Sequence, residues 1–180
     1  MNRTTAIERL NHWDKQGRFI FLIEDLAKIF PEDNATALKD GLSRLTKAGI
    51  FVRPTKGVYL YAYANSKDGY VIEHIAKALR RGFYSYVSLE SSLSEAGVIS
   101  QILIDRLTLM TTGRSGIYRT PYGVIEFTHT KRGVADVLKS TYKASRPLRV
   151  AYNNTAWRDL KRVGRNLHLV NEDELNEQSS

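Results

Sequence analysis

DNATALKDGLSRLTKAGIFVRPTKGVYLY, residues 33–61, is the stretch that decides the fold. Asp33 and Asn34 offer an N-cap, and Ala35, Leu38, Leu42 and Leu45 then recur at helical spacing until Gly49. Two runs of β-formers follow at once, Ile50-Phe51-Val52-Arg53 and Val58-Tyr59-Leu60-Tyr61, parted by the turn cluster Pro54-Thr55-Lys56-Gly57. The pattern predicts a helix leading directly into a β-hairpin with a basic tip. Upstream, Leu22, Leu26 and Ile29 mark a second helix closed by Pro31, and Phe19 to Phe21 reads as a brief strand. Before it, Thr5 and Glu8 fit a capping box for a helix carrying Ile7, Leu10 and Trp13 and stopping at Gly17. Three helices and a basic hairpin in this order predict a winged helix-turn-helix over residues 1–66.

At 100° per residue, the face opposite Leu38, Leu42 and Leu45 carries Thr36, Lys39, Ser43 and Lys47, with Arg44 on its flank. Hydroxyls, lysines and arginine are the side chains that bond phosphates and purine edges in the major groove. Arg53 and Lys56 would let the hairpin touch neighbouring backbone or minor groove. The competing readings are a solvated helix face and a protein-interaction module that neutralises a partner by direct contact.

Downstream, Tyr63 to Gly69 is a polar joint, taken as a domain boundary that leaves residues 67–180 as a second domain. Val71, Ile72, Ile75, Ala76 and Leu79 predict a fourth helix, and Ser88 is a candidate N-cap for a fifth, stopped by Gly97. Leu107–Thr112, Ile117–Thr120 and Val124–His129 then predict a three-stranded antiparallel meander. The expected fold class is thus α+β, a winged helix-turn-helix followed by a small α/β domain with an antiparallel meander.

Charge supports a polyanionic partner. The net charge of +8 divides into +3 over residues 1–66, +9 over 67–167 and −4 over 168–180. A helix over residues 154–165 would set Arg158, Lys161, Arg162 and Arg165 on one side, four like charges that repel unless they meet an anion. These four, with Arg114 in the Gly113-Arg114-Ser115-Gly116 turn, form a second candidate nucleic-acid contact. That turn reads either as an anion nest or, more simply, as a hairpin turn using glycine for positive φ.

Other chemistry finds no support in the residues. There is no cysteine, which excludes disulfides and thiolate zinc sites, and the four histidines show no ligand spacing. Ser88, Glu90 and Ser91 lack a histidine on their helix, so Ser88 reads as a cap rather than a nucleophile. No phosphate loop or dinucleotide fingerprint occurs, and no metal, cofactor or enzymatic activity is expected. No stretch approaches the roughly 20 apolar residues of a membrane helix; the expectation is a soluble, cytoplasmic protein without a membrane partner.

Several motifs resemble the AbiEi family of bacterial antitoxins. They are YVSLESSLSEAGVISQ at residues 86–101, TTGRSG at 111–116 and TPYGVIEFTH at 120–129. Lys131-Arg132-Gly133, Arg149-Val150-Ala151 and Ala156 with Asp159-Leu160 add to the likeness. It is strongest over residues 85–132, good over 35–62 and loose beyond 133. The resemblance implies an antitoxin of a type IV toxin–antitoxin system that binds operator DNA and represses its own operon. It further implies a nucleotidyltransferase-like toxin as functional partner, countered without a stable complex being required.

Overall fold

Asn34 caps the decisive helix as its residue type predicts: its side-chain oxygen accepts from the Thr36 and Ala37 N–H groups at 3.1 and 2.9 Å. The structure, a computed structural model, describes residues 1–99 and 105–177 and divides into two compact units, Met1–Leu79 and Arg80–Ser180. It is a mixed α+β chain with two sheets. Among the described residues, no helix is long and apolar enough to cross a membrane.

The first unit runs α1 (Arg3–Asp14), β1 (Ile20–Leu22), α2 (Ile23–Ile29), α3 (Ala35–Lys47), β2 (Phe51–Thr55), β3 (Val58–Tyr61) and α4 (Val71–Leu79). The strands form an antiparallel sheet in the order β1-β3-β2. Leu38, Leu42 and Leu45 of α3 are buried in one core with Leu10, Phe21, Leu26, Phe30 and Ile50. Helix α1 starts earlier than the Thr5 capping box predicts. Asn2, a stronger cap than threonine, accepts from the Thr4 N–H at 2.9 Å and adds a turn that buries Ala6.

The boundary expected after residue 66 lies instead after Leu79. Helix α4 packs against β1 and β3, burying Ile75 and Ala76, and the His74 ring meets Phe19 edge-on at 4.8 Å. The polar joint is not a loose linker, because buried Asp14 consumes its donors. Its carboxylate accepts from the Asn65 and Ser66 N–H groups at 2.8 and 3.1 Å and from the Ser66 hydroxyl at 2.5 Å.

The second unit contains β4 (Ser85–Val87), α5 (Leu89–Glu95), β5 (Arg106–Thr111), β6 (Gly116–Thr120) and β7 (Gly123–His129). It continues through α6 (Val134–Lys139), β8 (Thr141–Lys143), β9 (Arg149–Ala151), α7 (Asn153–Val163), a single 3-10 turn (Leu167–Leu169) and α8 (Glu172–Glu177). Helices α5 and α7 pack together over Tyr86, Leu93, Met110, Ala156 and Leu160. Ser100 and Gln101, the end of the segment predicted to run to residue 101, lie outside the described residues.

The predicted antiparallel meander is corrected. The six strands lie in the order β6-β7-β5-β4-β9-β8, so β7 separates β6 from β5 and runs parallel to β5. Only the β6–β7 hairpin is antiparallel as expected. Burial explains the inversion. Ile125, Glu126 and Phe127 of β7 are all buried, as a central strand requires, whereas β6 alternates half-buried residues with exposed Ile117 and Arg119. A strand with solvent on one face belongs at the edge.

Candidate nucleic-acid interface

With its leucine face buried, α3 must turn the opposite face outward. Thr36, Lys39, Ser43, Arg44 and Lys47 are all exposed, and so are Arg53 and Lys56 of the β2–β3 hairpin. Lys39, Ser43, Thr46 and Lys47 line one wall of an open groove of about 560 Å³, and Arg53 and Lys56 line the other. Ile23 and Tyr59 are its apolar lining. Gly57, at φ +81°, makes the tight turn that sets Lys56 at the hairpin tip. The Arg53 guanidinium sits 5.8 Å from the Tyr59 ring centroid, which limits its wandering. Among the described residues, none of these five cations is paired with a carboxylate. The groove therefore gathers five of the seven side chains named from sequence; Thr36 and Arg44 stand outside it on the same helix.

Sequence reasoning passed over Asp40. It is exposed, and the same projection places it between Lys47 and Arg44. A carboxylate there repels phosphate but can accept from the amino group of cytosine.

The second candidate contact is only partly assembled. Arg114 is exposed, and so are Arg158, Lys161 and Arg162 on α7, with the Lys161 ammonium 5.1 Å from the Trp157 ring centroid. Arg165 is corrected. Helix α7 stops at Gly164, at φ +75°, so Arg165 leaves the basic face. It grips Glu90 through Nε at 2.7 Å and through a second nitrogen at 3.1 Å, and it also bonds Glu126. Burial opposes the charge on Glu90. Hydrogen bonds from Arg165, its own backbone and Asn166 overcome this and hold the carboxyl below its ordinary value. The same Glu90 bond, against partial burial, raises the Arg165 guanidinium above its ordinary value. Arg165 is a structural clasp.

The Gly113–Gly116 turn owes its glycines to space, not to positive φ, which neither residue adopts. A Cβ on Gly113 would lie 3.0 Å from the Phe83 ring, and one on Gly116 would lie 3.2 Å from Arg80 and Tyr118. The main chain is tied down from two sides. Arg80 Nε donates to the Arg114 carbonyl at 3.0 Å, and the His129 Nδ1 lies 2.7 Å from the Gly113 carbonyl. A nest would aim amide hydrogens at an anion, whereas the Gly113 N–H is already donated to the Thr111 hydroxyl at 3.1 Å.

Ser88 precedes α5 as predicted but makes no capping bond. Its buried hydroxyl donates instead to Asp159 at 2.9 Å, where Tyr86 also donates at 3.1 Å and Arg132 at 2.8 Å. Burial, then the Asp159 charge, pushes the Tyr86 phenol well above its ordinary value. This network ties β4, α7 and the Lys131-Arg132-Gly133 segment together. Sequence reading missed it because the partners are far apart in the chain. Among the described residues, no group of His, Asp or Glu side chains is placed to hold a metal ion.

No family model matches the chain, and no curated protein does. Among solved structures it is similar to the RV2827C protein from Mycobacterium tuberculosis, with a TM-score of 0.58 and 13% identity. The match covers 99% of this chain and 72% of that one. At this identity the likeness concerns the fold alone.

Proposed function

We propose that the first unit is a winged helix-turn-helix and that the chain is a DNA-binding antitoxin of the AbiEi type, repressing its own operon in a type IV toxin–antitoxin system. One observation carries the DNA reading: a single groove gathers Lys39, Ser43 and Lys47 from α3 and Arg53 and Lys56 from the hairpin, its cations without carboxylate partners among the described residues. Helix α3 is the reader, and the hairpin is the wing that holds the adjoining backbone. The antitoxin role rests on the sequence resemblance, with a nucleotidyltransferase-like toxin encoded beside the chain's own gene as the functional partner.

Fluorescence anisotropy with the duplex just upstream of that gene, against a scrambled duplex, tests the reading. Tighter binding to the upstream duplex supports it; equal binding to both overturns operator recognition. A stable complex with the toxin on a sizing column, without DNA binding, would establish the alternative of a protein-interaction module.

A further inference from the structure

The turn that carries Arg114 has a second property. The Phe83 ring lies against the Gly113 backbone, yet it is 56% exposed, and the next residue, Tyr84, is 46% exposed. Tyr84 is locked to the same segment: its N–H donates to the Thr112 hydroxyl at 3.1 Å, and its carbonyl accepts from the Thr112 N–H at 2.9 Å. On the other side of Gly113, exposed His129 contacts its carbonyl at 2.7 Å and donates its backbone N–H to the Ser115 hydroxyl at 2.8 Å. Arg162 reaches from α7 to the His129 carbonyl at 3.4 Å, which brings a second guanidinium to the cluster. The Phe83 ring and the Arg162 guanidinium thus flank one braced turn that carries exposed Arg114, with exposed Tyr84 bonded to it through its backbone.

Nearby acids do not neutralise it. Glu90 and Glu126 are held by Arg165, Asp159 by Arg132 and Glu95 by Arg146. Among the described residues neither Arg114 nor Arg162 meets a carboxylate, and exposed rings beside such guanidiniums match the needs of an unpaired polynucleotide, whose bases expose faces for stacking and whose phosphates seek cations. A duplex hides its base faces and would leave Phe83 idle.

We propose that Phe83, Arg114, His129 and Arg162, with Tyr84 alongside, form a site for single-stranded nucleic acid, separate from the α3 groove. Bases stack on the rings, and the guanidiniums hold the phosphates. The bracing by Arg80 and His129 keeps the site open before the strand arrives.

The test uses the full chain with fluorescein-labelled U12 RNA and dT12 DNA. Phe83→Ala should weaken binding about tenfold, the loss of one stacked base, while Phe83→Tyr retains it. Arg114→Ala with Arg162→Ala should weaken it at least as much, and the operator duplex should bind the Phe83→Ala variant like the parent. Equal affinity for both strands assigns recognition to bases and phosphates; tighter binding of U12 adds a contact to the 2′-hydroxyl. The proposal is overturned by no binding of either strand, by Phe83→Ala binding like the parent, or by poly-glutamate competing as well as the strands do. The last would mark a surface for acidic protein. Loss of strand binding on Lys47→Ala with Lys56→Ala would also overturn it, by returning the strand to the α3 groove.

Discussion

Arg44 and Lys39 leave α3 in different directions, Lys39 into the groove wall and Arg44 on the flank beyond it. A guanidinium can bond two acceptors on a guanine edge, whereas an ammonium acts as a point charge on phosphate. Arg44→Ala should thus cost about 1–3 kcal/mol on the cognate duplex and relax preference at one base position. Lys39→Ala should weaken all sequences nearly equally. Anisotropy on cognate and scrambled duplexes separates the two, and parental binding by both folded variants would remove α3 as the reader. In the second unit, Glu90 supplies a different residue-scale prediction. Its folded value lies below the ordinary 4.5, so its contribution to stability is complete above that value and lost as pH falls through the depressed one. Urea unfolding at neutral and acid pH should show this loss. Arg165→Met should remove Glu90's share of that acid loss and destabilise at neutral pH by about 3 kcal/mol, the low end for a broken buried pair because solvent reaches Arg165.

For the element, the decisive quantity is which face α3 buries. Leu45 is only 5% exposed, so Leu45→Ala should destabilise the first unit by about 2–5 kcal/mol in thermal or urea unfolding. A change within error would mean that another face packs inward. Helix α3 and its hairpin were readable from sequence because their signals are local: an Asn cap, a leucine stripe, a turn cluster. The five exposed residues named on α3 follow from helical periodicity, and Arg53 and Lys56 from the hairpin and its turn cluster. The second sheet was not readable in the same way. Which strand is central depends on what covers each face, and β7 takes that place through residues of β5 distant in the chain. Periodicity likewise could not separate Arg165 from Arg158, Lys161 and Arg162, since the break is one glycine at positive φ and the partner is Glu90. Three-residue strands such as β4, β8 and β9 are too short to carry a pattern.

At the scale of the molecule, the division into units decides what can fold and bind alone. A fragment ending at residue 66 follows the polar composition; one ending at residue 79 follows the packing. The shorter fragment lacks α4, whose Ile75 and Ala76 are buried with β1 and β3 behind them, and it strips the His74 ring from Phe19. Each large apolar side chain so exposed costs about 1.5–3 kcal/mol, against a total stability of about 5–15 kcal/mol for a small domain. Residues 1–79 should therefore unfold cooperatively, and residues 1–66 should not. If the α3 groove supplies the phosphate contacts, the longer fragment should also keep the salt dependence of operator binding shown by the whole chain. Each phosphate contact contributes about 0.9 to the log–log slope. Neutralising Lys39, Lys47, Arg53 and Lys56 together should flatten it by about 3–4 in either protein. Titrations at several salt concentrations measure both. A fragment whose slope falls well below that of the whole chain would move a share of the duplex contacts to the second unit, and an unchanged slope after neutralisation would empty the groove of its role.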